Sequence, residues 1–443
     1  MPPADGDRAL ARSLEKYGVT SPKAASLPSS TTTTTPAPPR VATRIRPSAL
    51  NSLSPATAAL ELSVVMPCLN EAETVGACVR KALRAIHEHG IAAEVIVADN
   101  GSTDGSREIA ERLGARVVPV AERGYGSALM GGIAAARGTY VIMGDADESY
   151  DFGEIPTMLG RLRDGYDLVQ GCRLESGGGT VLPGAMPFLH RWWGNPMFSW
   201  LARRWFGVPV HDVYCGLRGF SKALYDRLDQ RCTGMEFATE MIIKASLYGA
   251  RIADVPITLH PDGRRSHPPH LKTFRDGWRT LSFFLMYSPR WLFLYPGMVL
   301  VALGLLGYAV AMPGLSMNGV TFDAHTLLVA SLAIICGYQT TWFAVIVKTF
   351  AIQEGLHPPP SSRRTSMLRG LTLERAILVA VAAVVVGVVL LGGAVLQWRA
   401  AGFGHLDYSH TMRWVIPGVT LTAVGLQTVL SSFVVNVLRL QRR

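Results

Sequence analysis

Four long apolar stretches in the C-terminal third, at roughly 293–312, 327–350, 376–397 and 415–438, constrain this chain more than any other feature. Each approaches the ~20 residues a helix needs to cross a bilayer. Hydrocarbon offers the backbone no hydrogen-bond partner, so segments this apolar are expected to span as helices. The connections orient them. Lys348, Arg363, Arg364, Arg369 and Arg375 fall in the second connection, and Arg439, Arg442 and Arg443 follow the last stretch. The first connection, PGLSMNGVTFDAH, has no Lys or Arg, and the third has only Arg399 and Arg413. The positive-inside rule then puts both the N-terminal region and the C-terminus in the cytoplasm, with the plasma membrane the expected site. Small residues in GLLGYAVA and VVVGVVLLGGAV suit close helix packing, and Gln339, Gln427 and Asn436 are expected to hydrogen-bond between helices. No span carries a clear acid or base near its centre, so a proton-coupled transporter finds no support.

Composition separates the rest. Residues 1–58 are rich in Ser, Thr, Pro and Ala, including PSSTTTTTPAPP, and cannot bury enough apolar surface to fold. They lack the continuous apolar core of a secretory signal, so the following domain is expected to stay where it is made. The six cysteines form no CxxC and have no His-rich partner spacing, which disfavours structural zinc and a disulfide framework. The net charge of +10 is spread out or sits beside apolar segments, which favours an anionic lipid surface over nucleic acid.

From residue 61 the pattern alternates. LSVVMP, EVIVAD, RVVPV and YVIMGD read as strands; EAETVGACVRKALRAIHEHG, SREIAERLGA and SALMGGIAAARG read as helices between them. Such alternation predicts an α/β layer with a mostly parallel sheet, on which ligands bind beyond the carboxyl ends of the strands. The polar signatures fall there: PCLNEAET after the first strand, DNGSTDGS after the second, GDADESYD after the fourth. RGYGSA imitates part of a dinucleotide fingerprint, but position 129 is Leu and the segment follows the third strand, so a Rossmann cofactor is not expected. Asp145, Asp147, Glu148 and Asp151 crowd into seven positions, and like charges this close repel unless a cation sits among them. With Asp99 they make an oxygen-rich rim suited to Mg²⁺ or Mn²⁺ bridging carboxylates to phosphates. Glu148 and Asp151 are expected to face water or cap the next helix.

VVMPCLNEAET, VADNGSTDGS, GDAD, GCR, HDVYCGLRGF and GMEFATEMIIKA occur in this order over residues 61–265. Together they resemble family 2 glycosyltransferases of the GT-A fold, and within them the polyprenyl-phosphate sugar synthases of the dolichyl-phosphate mannose or glucose synthase type. The resemblance implies an inverting, metal-dependent transfer of one sugar from a UDP-glucose- or GDP-mannose-type donor to a polyprenyl monophosphate. It implies that Pro67 and Glu71 line the nucleoside, that Asp99 contacts the base, and that Asp145 and Asp147 hold metal and diphosphate. Arg173 and Arg191 match phosphate-binding residues, Asp212 an acid near the reacting centre, and Glu240 a buried acid. Asp147 and Asp212 are then the catalytic candidates, although a lipid monophosphate is already anionic and needs no strong base. Where the branch often has Gln, this chain has Ser149, a weaker ligand. Pairing of Glu240 with Lys244 at i, i+4 accounts equally well for that acid.

Residues 260–294 interleave Arg264, Arg265, His267, His270, Lys272, Arg275, Arg279 and Arg290 with Phe274, Trp278, Phe283, Phe284, Tyr287 and Trp291. A basic amphipathic segment abutting a span reads as an interfacial element, with Arg264 and Arg265 placed to capture a lipid phosphate. The expected organisation is a tail over 1–58, the GT-A domain over 59–262, the interfacial segment over 263–292 and four spans over 293–443. Membrane lipids are expected partners and a homo-oligomer is compatible with this plan. A processive polysaccharide synthase is disfavoured because QxxRW is absent. A glycolipid or polysaccharide acceptor, or a non-catalytic scaffold that binds nucleotide sugar, are the alternatives.

Overall fold

A computed structural model describes residues 60–264, 273–317, 319–359 and 373–440. The N-terminal tail and Arg265 lie outside the described residues. Residues Thr57–Arg443 form one compact unit.

The sheet domain opens with β1 (Leu62–Cys68), α1 (Val75–Glu88), β2 (Ala93–Asp99), α2 (Ser106–Arg112), β3 (Arg116–Pro119), α3 (Tyr125–Ala135) and β4 (Tyr140–Met143). It continues through α4 (Ile155–Arg163), β5 (Leu168–Cys172), β6 (Thr180–Val181), α5 (Asn195–Phe206), β7 (Arg218–Ser221), α6 (Lys222–Leu228), α7 (Glu236–Leu247), β8 (Ile252–Pro256) and β9 (Thr258–Leu259). Seven strands form one sheet in the order β3-β2-β1-β4-β7-β5-β8. Only β7 runs antiparallel to its neighbours β4 and β5. The strands are nearly continuous apolar runs because both faces are covered, and two clusters of buried residues flank the sheet. In α1, Val75, Cys78, Val79, Ala82, Ala85 and Ile86 recur at helical spacing and all are buried. The strands β1, β2, β4 and β5 point their carboxyl ends to one edge, so the loops after Cys68, Asp99, Met143 and Cys172 converge there.

The glycines of RGYGSA have a packing role. A Cβ at Gly124 would stand 2.4 Å from the Thr233 carbonyl oxygen, and one at Gly126 the same distance from that of Cys232. Bare backbone lets the 232–234 segment lie across the start of α3, where Ser127 N–H donates to Thr233 O at 3.1 Å.

Helix α8 (Thr273–Tyr287) leads to α9 (Tyr295–Ala311), the short hairpin β10 (Ser316–Met317) and β11 (Val320–Thr321), then α10 (Ala324–Gln353), α11 (Leu373–Ala400) and α12 (Tyr408–Arg439). Segments Arg290–Ala311, Ala324–Gln353, Glu374–Ala400 and Tyr408–Arg439 are long and apolar enough to cross a membrane. Glycines let their backbones approach: a Cβ at Gly304 would lie 2.7 Å from Ala330 O, and one at Gly387 2.7 Å from Gly418 O. The expected interhelical amides are corrected here. Asn436 bonds within its own helix to Ser432 O, Gln339 is exposed, and the buried Gln427 Oε1 has no partner. Hydroxyls take that role instead. Tyr308 meets Ser331 at 2.5 Å and Thr420 at 3.0 Å, and Tyr338 meets Thr428 at 2.6 Å.

The two layers are joined at the end of α10. Tyr248 Oη donates to Gly355 O at 2.9 Å, His357 Nε2 lies 2.9 Å from Tyr287 O, and Arg231 pairs with Glu354 at 3.6 Å.

Candidate active site

Much of the two polar motifs after β1 and β2 serves to hold one loop against the other. Ser102 Oγ accepts from Asn70 N–H (2.9 Å), Ser106 Oγ from Glu71 N–H (2.8 Å) and Asp104 from Ala72 N–H (2.8 Å). Asn70 accepts from Thr103 N–H in return (2.9 Å). Asp99 is buried and accepts from the Gly101 and Ser102 amides, with Arg107 at 3.4 Å. Pro67 lies on β1, paired in register with Ala98 beside it.

Beyond β4, backbone and carboxylates form a tight knot. Asp145 is held by the Tyr125 hydroxyl at 2.9 Å. Burial, and then the charge of Asp147, push its carboxyl up to about 7. A Cβ at Gly216 would stand 2.7 Å from Asp145 Oδ2, so that glycine leaves the carboxylate its room. Asp147 Oδ1 accepts from Ser149 N–H (3.0 Å) and Oγ–H (2.5 Å). Ser149 therefore fixes Asp147, and a serine suffices where a longer amide could ligate. Asp151 caps the next turn by accepting from Gly153 N–H.

Arg264 gathers three carboxylates. Its Nη1 is 3.0 Å from Glu71 Oε1, its Nη2 2.9 Å from Asp147 Oδ2, and its Nε 2.8 Å from Asp262 Oδ2. Arg173 follows β5 and is buried against Asp212 in a two-pronged pair, Nε–Oδ2 2.7 Å and Nη2–Oδ1 3.0 Å. Asp212 is fully buried and also accepts from the Arg173 and Tyr214 amides. Four donors occupy both of its oxygens and hold the Arg173 side chain in place. Glu240 and Lys244, both fully buried, pair at 2.7 Å. Glu240 also accepts from the Arg231 and Cys232 amides and from Tyr287 Oη–H, and so fixes the 231–232 backbone against α8.

These groups face one cavity of about 460 Å³. Asp145, Asp147, Ser149, Arg173, Asp262 and Arg264 line its polar end; Met186, Pro187, Leu189, Phe198, Tyr214 and Met235 line an apolar wall. The sequence-predicted Pro67, Glu71, Asp99 and Asp212 stand behind or beside that lining. Arg191 lies apart, paired with Glu175 at 2.6 Å and stacked over Trp192. Tyr125, Glu236 and Arg279 were not foreseen as a group; Arg279, from α8, pairs with Glu236 across the cavity rim. Tyr125 was signalled by the glycines around it, whereas the Glu236–Arg279 pair joins positions 43 residues apart and left no local pattern.

The apolar wall continues onto α5, whose Phe198 and Phe206 pack edge-on against Phe284 of α8. Trp205 stacks on Trp291 at the start of the first span, with ring centroids 5.4 Å apart. Trp192, Trp193, Trp200 and Trp278 are exposed around it.

The chain was compared with known families and proteins. Residues 63–229 match the model for glycosyl transferase family 2, and residues 345–439 match the family 2 C-terminal transmembrane region. The low-salt glycan biosynthesis hexosyltransferase Agl6 of Haloferax volcanii is 36% identical over 380 residues, covering 85% of this chain and 88% of that protein. The dolichyl-phosphate hexose transferase of the same organism is 34% identical over 49% of this chain and 89% of its own. Glucosyl-3-phosphoglycerate synthase of Mycobacterium tuberculosis, solved with Mn²⁺, UDP and product, is 24% identical with a TM-score of 0.40, covering 52% of this chain and 80% of that one. A sheet whose strand ends carry these acids and arginines, joined to four apolar helices and matching these relatives, is a membrane-bound glycosyltransferase. The chain belongs to glycosyltransferase family 2.

Proposed function

We propose that this chain moves one hexose, with inversion, from a nucleotide-diphosphate sugar to a polyprenyl monophosphate at the cytoplasmic face of the membrane. The observation that carries the reading is one cavity in which paired acids and arginines meet an apolar wall that continues through α5 and α8 toward Trp291 at the first span. A sugar acceptor would need no such wall; a lipid phosphate needs both ends.

The residues present fit a divalent ion. Burial, and then the charge of Asp147, raise the Asp145 carboxyl, and a cation between the two would favour its ionised form. Among the described residues no cluster of three or more His, Cys, Asp or Glu is arranged to enclose a metal. Asp145 and Asp147 would therefore hold Mg²⁺ or Mn²⁺ together with substrate phosphate and water, the habit of hard ions at phosphate sites. When bound, the ion supplies positive charge against the leaving diphosphate.

Arg173, immobilised by Asp212, presents a guanidinium to the phosphates. An oxygen of the lipid phosphate attacks the anomeric carbon while the bond from that carbon to the diphosphate oxygen breaks. Products are a polyprenyl-phosphate sugar and a nucleoside diphosphate. The nucleophile is already ionised, so catalysis lies in placement and charge stabilisation, and Asp212 accepts no proton. Arg264 and Arg279 are the side chains we assign to the acceptor phosphate. Pro67, Glu71 and Asp99 we assign to the nucleoside side of the donor. Arg191 we now assign to the interface with lipid, given its stacking on Trp192.

The sheet domain and the C-terminus are assigned to the cytoplasm. The domain docks onto residues 354–357, next to the connection that carries Arg363, Arg364, Arg369 and Arg375. The test uses membranes containing this protein, polyprenyl phosphate, Mn²⁺ or Mg²⁺, and a panel of labelled nucleotide sugars. Metal-dependent label in the organic phase, absent with Asp147→Asn, supports the proposal and names the donor. Donor hydrolysis or transfer to a water-soluble acceptor, with no labelled lipid from any donor, overturns it.

A further inference from the structure

The second span carries an amide that the rest of the molecule does not use. Gln339 is exposed on α10, and no hydrogen bond among the described residues reaches its side chain. Its polar neighbours are satisfied: Tyr338 bonds Thr428 of α12, and Thr340 and Thr341 bond back to Cys336 O and Gly337 O of their own helix. At 1.5 Å per residue Gln339 stands about 14 Å from Lys348 and about 21 Å from His325, too deep for its side chain to reach either polar edge. Hydrocarbon gives it neither donor nor acceptor.

Gln339 belongs to a stripe. Leu328, Leu332, Cys336 and Phe343 are exposed with it, at steps of three or four residues along one side of α10. The opposite side, with Leu327, Ala330, Ser331, Gly337 and Ala344, is buried in the bundle.

We propose that this stripe, Gln339 included, is the contact between two copies of the chain. Copies inserted by the same route share one orientation, so a two-fold axis between them runs along the membrane normal and brings α10 against α10 in parallel. Each residue on the stripe then meets its own counterpart. An amide both donates and accepts, so two glutamines satisfy each other reciprocally, which a lone donor or a lone acceptor would not do. Cys336 lies one turn away, about 4.5 Å along the axis, and faces its twin at the same level. Its small side chain keeps the helices close. This contact is independent of the donor and acceptor assigned above.

The experiment uses the full-length chain in its own membranes and in lipid vesicles. Copper-phenanthroline oxidation should give a disulfide-linked dimer that disappears with Cys336→Ala. Single-molecule co-localisation of two fluorescent labels should report a dimer whose dissociation constant rises roughly tenfold with Gln339→Leu and less with Gln339→Asn. Leucine suits a lipid-facing helix, and the Cys336 crosslink of the unaltered protein stands without any change at 339. A monomer by single-step photobleaching overturns the proposal. So does a dimer indifferent to Gln339→Leu, or a Cys336 crosslink to a different protein.

Discussion

The sheet domain and the helical bundle bury polar groups in opposite ways. In the sheet domain they are charged and heavily bonded: Asp212 takes four donors, and Glu240 takes Lys244, two amides and a tyrosine hydroxyl. In the bundle they are neutral hydroxyls, Tyr308, Ser331 and Thr420 in one knot and Tyr338 with Thr428 in another. A fold that must present charge to phosphates can afford buried ions only if each has its counter-ion and its hydrogen bonds. A bundle in hydrocarbon avoids ions and draws its helices together through glycine contacts and hydroxyls. The cleft is a third case, because among the described residues Asp145 has one donor, the Tyr125 hydroxyl, and Asp147 has three, two from Ser149 and one from Arg264, fewer than the four of Asp212.

Substitutions can break this contrast. The largest effect belongs to the acids of the cleft. Asp147→Asn should lower transfer by about a hundredfold or more, since it removes half of the proposed metal pair. Thermal unfolding in detergent should change little, because the Ser149 bonds can persist on the amide oxygen and Arg264, which loses Asp147 as an ion-pair partner, keeps Glu71 and Asp262. Asp212→Asn should lower both transfer and stability. It strands the buried Arg173 and should cost about 3–5 kcal/mol of stability. Adding Arg173→Met, which removes the stranded charge, should restore most of that stability without restoring transfer. A stable Asp212→Asn protein whose kcat alone falls, with a shifted pH profile, would return Asp212 to the role of a base.

The same contrast explains what could be read in advance. The strands, the spans and the convergence of motifs on one sheet edge follow from periodicity and from where parallel strands end, which are local signals. Residue types at single positions were legible too: Asp145, Asp147 and Arg173 do share a cavity. What was illegible is who pairs with whom. Nothing in HDVYCGLRG says that Asp212 is spent on Arg173, 39 residues away, or that Arg264 reaches Glu71 across 193 positions. The membrane amides failed for a related reason. Periodicity shows that a helix spans but not which side faces its neighbours, so Gln339 was assigned inward when it faces out.

In the bundle the expected losses are smaller. Tyr308→Phe removes a neutral hydroxyl from a knot in which Ser331 and Thr420 still bond each other at 2.8 Å. It should cost about 0.6 kcal/mol, and not more than about 2, by the measured range for interhelical hydrogen bonds in membranes. Steric-trap or denaturant unfolding in bicelles would measure it. A loss as large as that of Asp212→Asn would erase the distinction between the two layers.

The finest test lies at the seam between them. His357, just beyond α10, bonds Tyr287 O and packs against its ring with centroids 6.2 Å apart. Burial, helped by the charges of Lys348 and Arg290, holds its pKa below the usual histidine value. The folded protein therefore binds fewer protons here than the unfolded chain between the two pKa values, and stability rises with pH across that window. The contribution is complete above the ordinary value of about 6.5 and is lost as pH falls through the folded pKa. Because Nε2 points at a carbonyl it must donate, so the neutral ring keeps its proton there and the seam survives at neutral pH. Melting midpoints measured from pH 7.5 down to about 5 should fall less steeply for His357→Phe than for the unaltered chain. Parallel slopes would mean that His357 is not the group through which acid loosens the protein.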